Sequence, residues 1–406
     1  MNETLLQKLK MVRLRDLGHV FLFLLALLPA AVFRRARPHL WLVCEGPREA
    51  QDNGYWFFKY LRERQPQVDA VYAVEKDSSA YKRVACLGET VQYGSFRHWI
   101  FYLAAEVNIS SQKSGKPNAA VCYLLEVVLG CLKNRRVFLQ HGVINNDLPF
   151  LHEEKAKLTL FFCGAEPEYR FVKETFGYEP GVVRYAGLCR FDALHGLEPD
   201  RDLLLIVPTW RMYWERQRGE AGKKDFLDSS YFRTWDALLR DGRLDALLEK
   251  THKRAVFCLH RNMGAYETCF SSDSPRIRVL RWQDADIGEL IRSAGTLITD
   301  FSSIHTDFAY MEKPVLYYQF DTEEFRSSHL PTGYFDYDRD GFGPVCREET
   351  SLLAALAAVF EGGCAMEETY RERVSRFYVL HDADNCERTY QAIRELLSSF
   401  ESFRRR

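Results

Sequence analysis

The residues Thr299–Ala309, TDFSSIHTDFA, form a polar turn and a short helical pattern between two apolar runs, TLIT and VLYY. A turn between a strand and a helix is where α/β proteins bind phosphate, because exposed N–H groups and the helix dipole favour an anion. Ser302 and Ser303 could add two hydroxyl groups, whereas Asp300 would cap the helix or orient a neighbour. A plain serine N-cap explains the two serines equally well. The P-loop pattern is absent, which argues against a kinase or ATPase.

Polar residues also follow three other apolar runs. RVFLQ runs into His141, LLLIV leads through Pro-Thr-Trp to Arg211, and AVFCL runs into His260. Imidazole titrates near neutral pH, so each histidine could accept a proton from an attacking hydroxyl or hold a phosphate oxygen. A single histidine is more often structural. Two histidines at strand ends in different halves of the chain favour a functional site.

The chain alternates apolar runs with helical patterns such as Tyr55–Arg64 and Ala119–Leu132, and Asn53 would be a good N-cap for the first. Apolar runs lie at 40–44, 70–74, 107–110, 136–140 and 160–163 and, after a polar boundary near 194–202, at 203–207, 255–259, 277–280, 296–299 and 315–318. Continuous apolar strands between helices predict parallel sheets covered on both faces. We therefore expect an α/β fold with two doubly wound, Rossmann-like domains and a ligand cleft at their strand ends.

Composition narrows the functional class. The 406 residues suit two domains. The 55 basic and 56 acidic residues nearly cancel in charge, and no long basic tract accompanies a nucleic-acid motif, which argues against nucleic acid as the main partner. The 11 cysteines form no C-x-x-C pair and no zinc pattern, as expected for buried thiols in a reducing compartment.

The N-terminus predicts membrane attachment. Val20–Phe33 is an apolar run of 14 residues, which is short of the 20 or so that a spanning helix needs. Basic residues flank it, and Leu5, Leu9 and Val12 share one helical face, as in a segment lying on a membrane surface. The flanking bases are Lys8, Lys10, Arg13 and Arg15 before the run and Arg34, Arg35 and Arg37 after it. A cleaved signal peptide and a buried core helix are the alternatives.

Four motifs are similar, in order and spacing, to those of the CDP-glycerol glycerophosphotransferase family of bacterial cell-wall and capsule synthesis. They are FLQHGV, VPTWR, LHRNM and LITDFSSIHTDFAYMEKPVLYYQFD, and FYVLHDADNCERTYQAI resembles the family's closing motif. The resemblance covers roughly residues 40–395. The chain departs from the family pattern in Arg261 where a proline is usual, in Val143 where a threonine is frequent, and in a closing motif without glycine. These departures bear on the polyol of the donor more than on the chemistry.

The resemblance implies a GT-B-like architecture and transfer of a polyol phosphate, most simply glycerol phosphate, from a CDP-polyol to a hydroxyl of a lipid-linked saccharide or polyol-phosphate acceptor. CMP is released. On this chain it implies His141 as the base and His260 near the donor phosphate. Ser302 and Ser303 would form the phosphate-binding turn, with Arg211 as a charge partner for the diphosphate. Asp300 and the closing-motif residues Asp384 and Arg388 would lie near the nucleotide.

We expect four regions: a membrane-associating segment (1–37), an acceptor-side domain (38–195), a nucleotide-donor domain (196–375) and a C-terminal helix packing back towards the N-terminal domain (376–406). No cofactor motif is present, and Mg²⁺ is left open. The enzyme would sit on the cytoplasmic face of the membrane. A GT-B glycosyltransferase using a nucleotide sugar and a non-catalytic membrane adaptor are the alternative functions.

Overall fold

The computed structural model describes residues 14–216, 219–328 and 331–404. They form two compact units, each built around one parallel sheet. The first unit contains the chain up to His141, Pro149–Ala193 and the chain from Asp382 onwards, and the second contains Gly142–Leu148 and Leu194–His381. The prediction of two doubly wound α/β domains is confirmed.

The first unit has a seven-stranded sheet of order β3-β2-β1-β4-β5-β6-β7. Its strands are β1 (Trp41–Cys44), β2 (Ala70–Val74), β3 (Thr90–Gln92), β4 (Val107–Ser110), β5 (Arg136–Phe138), β6 (Leu160–Cys163) and β7 (Val183–Tyr185). The two edge strands, β3 and β7, each bury only one of their three residues. Their sequences therefore contain no continuous apolar run. The sequence therefore did not predict them.

Helices and short helical turns cover both faces of this sheet. The helices are α1 (Leu14–Ala36), α2 (Asn53–Arg64), α3 (Ser79–Ala85), α4 (Phe96–Ala104), α5 (Ala119–Tyr123), α6 (Glu153–Ala156) and α7 (Glu166–Thr175), and a π-helical turn (Leu124–Val128) extends α5. The N-cap of α2 is Asp52, whose side chain accepts the N–H of Asn53. Asn53 is thus inside the helix and not its cap, which frees its side chain for another contact.

Helix α1 is longer than the predicted apolar run, with 23 residues that continue through Pro29. One face packs on α4, where Phe33 stacks on Phe101 with ring centroids 4.8 Å apart and Ala26 is fully buried. The opposite face exposes Leu17, Phe21, Leu24, Leu25, Leu28 and Val32. The helix is long and apolar enough to cross a membrane by length and composition. Because one of its faces is core, residues 14–37 belong to the first unit rather than forming a separate anchor.

Two of the basic residues after the run have partners within the protein. Arg34 donates to the backbone carbonyl groups of Leu103 and Ala104, and Arg37 forms ion pairs with Asp69 and Glu89. These two guanidinium groups therefore secure the end of α1. The predicted bases Lys8, Lys10 and Arg13 and the amphipathic positions Leu5, Leu9 and Val12 lie outside the described residues.

The second unit has a six-stranded sheet of order β10-β9-β8-β11-β12-β13. Its strands are β8 (Asp200–Ile206), β9 (Arg254–Cys258), β10 (Ile277–Leu280), β11 (Ala294–Thr299), β12 (Val315–Tyr318) and β13 (Val345–Cys346). Its helices are α8 (Met212–Arg216), α9 (Gly219–Asp228), α10 (Ser230–Arg240), α11 (Gly242–Lys250), α12 (Ile287–Ser293), α13 (Ile304–Tyr310), α14 (Thr322–Ser328), α15 (Tyr337–Asp340), α16 (Glu349–Glu361) and α17 (Glu368–Phe377). The last helix, α18 (Asn385–Arg404), returns to the first unit.

The segment Gly142–Leu148 belongs to the second unit although the chain around it belongs to the first. Its anchor is Asn145, whose side-chain amide lies 2.6 Å from Nε2 of the buried His305. His305 Nδ1 in turn lies 2.8 Å from the hydroxyl of Tyr317. Burial lowers the pKa of His305 to about 3, so its ring is neutral. The sequence did not single out this histidine because the helical pattern IHTDFA gives it no partner.

Candidate active site

The serine turn follows β11 and precedes α13, as the sequence predicted. Ser303 occupies the N-cap position, yet its side chain makes no capping hydrogen bond, and it is exposed. Ser302 is half-buried and accepts the N–H of Ile304 at 3.4 Å, which is a weak contact. A Cβ atom at Gly142 would lie 3.3 Å from Oγ of Ser303, so the backbone of that glycine passes close to the turn. The Ser303 hydroxyl therefore does not cap the helix, and its predicted role in binding a phosphate stays a prediction.

A buried ionic cluster lies behind this turn. Arg211 donates through Nη2 to Asp300 Oδ2 at 2.9 Å and to Asp321 Oδ2 at 2.7 Å, and none of these side chains is more than 3% exposed. Asp300 also accepts the N–H groups of Thr209 at 2.7 Å and Phe301 at 2.6 Å. Asp300 thus joins the end of β8 to the end of β11 and fixes the backbone that carries the two serines.

The cluster changes the role assigned to Arg211. The guanidinium group is fully buried, packs against the rings of Tyr231 and Phe325, and does not reach the surface on which a donor phosphate would bind. Burial alone would lower the pKa of Arg211, but Asp300 and Asp321 outweigh that effect and raise it. Arg211 and Asp300 therefore stabilise the backbone of the turn. Both side chains are buried, so neither presents a surface to a nucleotide. Asp321, the third member of the cluster, was not among the site residues predicted from the sequence.

His260 follows β9 and lies beside two tryptophan rings. Its ring centroid is 6.1 Å from that of Trp210 and 5.6 Å from that of Trp282. Nδ1 accepts the backbone N–H of Asn262 at 3.2 Å. With Nδ1 acting as acceptor, a neutral ring carries its proton on Nε2, which makes Nε2 a hydrogen-bond donor. This tautomer suits the binding of a phosphate oxygen better than the removal of a proton.

His141 follows β5 in the first unit. The residue before it, Gln140, has a left-handed backbone with φ of 66°, which is strained for a residue other than glycine. The His141 side chain is exposed to solvent. Desolvation by neighbouring atoms, and then the nearby Arg190 cation, lower the pKa of His141 to about 4. The imidazole is therefore neutral at neutral pH and able to accept a proton.

Two residues outside the predicted site, Asn53 and Arg190, hold the backbone at His141. Asn53 donates through Nδ2 to the carbonyl of Gln140 at 2.7 Å and accepts the N–H of Arg190 at 2.9 Å. Arg190 donates to the carbonyl of His141 at 2.7 Å and to Asp52 Oδ1 at 3.0 Å. The sequence contained one indication of this contact, the adjacent pair Asp52 and Asn53. A helix needs only one N-cap, so the second polar side chain can make a different hydrogen bond.

The closing motif lies in the first unit, at the start of α18. Asp384 is exposed, and its carbonyl accepts the N–H of Arg388. Arg388 donates to both carboxylate oxygens of Asp382, at 2.9 and 2.8 Å, and to the carbonyl of Ala186 at 3.0 Å. The neighbouring Gly187 has φ of 77°, and a Cβ atom there would lie 1.7 Å from Asn385 Oδ1. Arg388 thus joins α18 to the segment after β7. Its predicted nucleotide-proximal role, like that of Asp384, stays a prediction.

A sequence profile of one family matches the part of the chain that carries most of these residues. The family is CDP-glycerol:poly(glycerophosphate) glycerophosphotransferase, and the match covers residues 186–395, just over half of the chain. The chain belongs to this family. The resemblance inferred from the motifs is therefore confirmed, and the family is one of transferases. His141 precedes the matched region.

Curated relatives include proteins of teichoic acid synthesis. The minor teichoic acid biosynthesis protein GgaB of Bacillus subtilis (strain 168) is 31% identical over 375 residues, which are 89% of this chain and 40% of GgaB. A teichoic acid poly(glycerol phosphate) polymerase of Bacillus spizizenii is 22% identical over 240 residues, which are 59% of this chain and 48% of the polymerase. The chain spans less than half the length of these two relatives.

Solved structures with the same fold include the wall teichoic acid polymerase TagF. It has a TM-score of 0.62 at 14% identity, over 89% of this chain and 90% of the TagF chain. A UDP-N-acetylglucosamine 2-epimerase has a TM-score of 0.51 at 12% identity, over 90% of this chain and 96% of the epimerase. At these identities the likeness establishes the fold, which agrees with the predicted GT-B-like class.

Proposed function

We propose that the protein transfers glycerol phosphate from CDP-glycerol to a hydroxyl group of a lipid-linked acceptor, releasing CMP, in the synthesis of a cell-wall or capsule polymer. The main observation behind the proposal is the exposed Ser303 hydroxyl, which makes no capping hydrogen bond. The turn that carries it is fixed by the buried ion pairs of Arg211 with Asp300 and Asp321. The family match supports the donor, since the description of the family names CDP-glycerol.

In the proposed reaction the acceptor oxygen attacks the β-phosphorus of the donor. A new P–O bond forms, the bond from that phosphorus to the bridging oxygen breaks, and CMP leaves with the bridging oxygen. The neutral ring of His141 takes the proton of the acceptor hydroxyl. Ser302, Ser303 and Nε2 of His260 donate hydrogen bonds to the phosphate oxygens, whose charge grows during transfer.

Analysis of the released nucleotide separates this proposal from a glycosyltransferase with the same fold. Purified protein would be incubated with CDP-glycerol and a membrane extract, with and without Mg²⁺, and the nucleotides separated by chromatography. We expect CMP. Release of a nucleoside diphosphate from a nucleotide sugar, with CDP-glycerol left intact, would instead support glycosyl transfer.

Replacing both serines of the turn by alanine should weaken CDP-glycerol binding. Each hydroxyl that bonds a charged oxygen contributes about 1.5–3 kcal/mol, and the larger loss is expected for Ser303→Ala because that hydroxyl makes no hydrogen bond within the described residues. Isothermal titration calorimetry with CDP-glycerol measures the effect. Ser351→Ala is the matched control, since Ser351 is also exposed near a helix N-terminus of the second unit. An unchanged affinity in the double variant would show that the two serines do not bind CDP-glycerol.

We propose further that the protein is bound to the cytoplasmic surface of the membrane by the outer face of α1. Leu28 is 81% exposed, Val32 68% and Phe21 62%, and all three lie opposite the face that packs on α4. A helix with one face on its domain and the other fully apolar is suited to lie in the membrane interface.

Leu28→Glu combined with Phe21→Glu should release the protein from vesicles without unfolding it, since both side chains point away from the core. Burial of each side chain contributes about 1.5–3 kcal/mol to membrane binding, so the loss for the pair should exceed a hundredfold. Vesicle sedimentation measures binding, and circular dichroism checks the fold. Ala26→Glu serves as the contrast, because Ala26 is fully buried and its variant should unfold instead. Undiminished sedimentation of the folded double variant would place the membrane surface elsewhere.

A further inference from the structure

The first unit contains a pocket beside strands β4 and β5 and the loop that joins β4 to α5. It is partly open to solvent. Three basic side chains line it, those of Lys113, Lys116 and Arg136. None of the residues proposed for catalysis or donor binding belongs to its lining, so the reaction does not account for these cations.

The charges in this pocket do not balance. One buried carboxylate, Glu126, accepts hydrogen bonds from both Lys116 and Arg136 and from the hydroxyl of Tyr102. Lys113 has no carboxylate partner within the described part of the chain, and its ammonium group donates to the carbonyl of Phe150 at 2.5 Å. Three cations and one carboxylate leave two positive charges.

Arg136 adds charge to this pocket. The residue is 6% exposed, and its Nε, which has no hydrogen-bond partner among the described residues, is closed off from solvent. Its guanidinium group therefore acts on an anion in the pocket through its charge. Desolvation, then Lys116 and Arg136, lower the pKa of Lys113 to about 8, and a bound anion would oppose that shift. The excess of positive charge in the pocket favours an anion such as a phosphate.

Two aromatic rings form an apolar rim beside Lys113. The ammonium group of Lys113 lies 5.7 Å from the ring of Tyr123 and 5.8 Å from that of Phe150, which is 46% exposed and whose carbonyl accepts the hydrogen bond of Lys113. The chain around Glu126 also exposes Leu124, Val128 and Leu129. The loop that carries the two lysines ends at Asn118, which donates to Asp16 of α1 at 2.8 Å. The cationic pocket is thus adjacent to apolar surface and tied to the helix proposed to enter the membrane. A soluble phosphate would use the cations but not this rim.

We propose that the pocket binds the phosphate of a lipid, with the hydrocarbon chain on the apolar rim, and that it thereby holds the lipid-linked acceptor. The second part of this statement rests on the proposed function. Phosphate of the same chemistry also occurs free in solution and in the headgroups of the bulk membrane, so the experiments compare these sources.

Binding is tested with dodecyl phosphate as the probe, in a neutral detergent and with the full chain. Lys113→Gln removes the cation that has no carboxylate partner and should leave the fold intact. We expect it to weaken binding of dodecyl phosphate roughly tenfold or more, since a charge-assisted hydrogen bond is lost. Lys173→Gln, which removes an exposed charge on α7, should bind as wild type does. Equal binding by the Lys113 variant would overturn the proposal, as would inorganic phosphate binding as tightly as dodecyl phosphate.

The acceptor role is tested by kinetics in mixed micelles. In the Lys113 variant, KM for the lipid acceptor should rise roughly tenfold while KM for CDP-glycerol is unchanged. Phosphatidylglycerol added to the micelles should compete only weakly. Strong competition would identify a site for bulk headgroups and overturn the acceptor role. The dodecyl phosphate binding experiment needs no turnover, so a protein that binds dodecyl phosphate but releases no CMP would contradict the proposed function and leave the pocket assigned.

Discussion

His141→Ala is expected to lower turnover by about a hundredfold to ten-thousandfold, the usual contribution of a general base, with the affinity for CDP-glycerol unchanged. The imidazole stands at the end of β5 on a backbone that Asn53 and Arg190 hold in place. The serine turn belongs to the other unit, so removing the ring leaves its hydroxyl groups in place. Steady-state release of CMP gives the rate, and calorimetry gives the donor affinity.

The pH dependence offers an independent check of this base. A base acts in its unprotonated form, and the pKa of His141 is lowered from 6.5 to about 4. Activity should therefore show no loss as the pH falls from 8 to 5, and the acid limb of kcat/KM should lie near pH 4. His39→Ala is the control, because His39 is also an exposed histidine of the first unit. A His141 variant within a few-fold of wild type would show that another group takes the proton.

Most of the strands and the serine turn could be predicted from the sequence because their signals are local. TLIT is a buried strand over its whole length, and a polar turn before a helical pattern fixes where Ser302 and Ser303 must lie. The same logic located His141 and His260 at strand ends. Local patterns give the position of a residue along the chain, and in a doubly wound fold that position determines the edge of the sheet at which it lies.

Contacts distant in sequence account for what the sequence did not predict. Asn53 bonds to a carbonyl 87 residues away, and Arg211 pairs with an aspartate 110 residues away. No spacing or period encodes such partners. The motif placed Arg211 near the phosphate, but its neighbours in space are two carboxylates, which hold the guanidinium group inside the protein. Similarly, the apolar run at the N-terminus did not reveal that one face of α1 packs on α4.

Arg211→Met should lower the free energy of unfolding by about 3–5 kcal/mol, because it leaves Asp300 and Asp321 buried without their cation. Methionine has a similar length, so the loss comes from charge more than from packing. Urea denaturation followed by tryptophan fluorescence measures it. Arg240→Met is the matched control: Arg240 pairs with Asp236 at 3.0 Å on the surface, and such pairs contribute about 1 kcal/mol or less.

A triple variant, Arg211→Met with Asp300→Asn and Asp321→Asn, separates the two roles that Arg211 could have. Removing the carboxylates along with the cation relieves the buried charge, so the triple variant should recover part of the lost stability. Its affinity for CDP-glycerol should recover in part as well, because an amide oxygen in place of Asp300 Oδ1 can still accept the N–H groups of Thr209 and Phe301 at the serine turn. If Arg211→Met instead unfolded at the same urea concentration as wild type while losing donor affinity, the guanidinium group would contact the donor directly, and the buried cluster would not be what holds the turn.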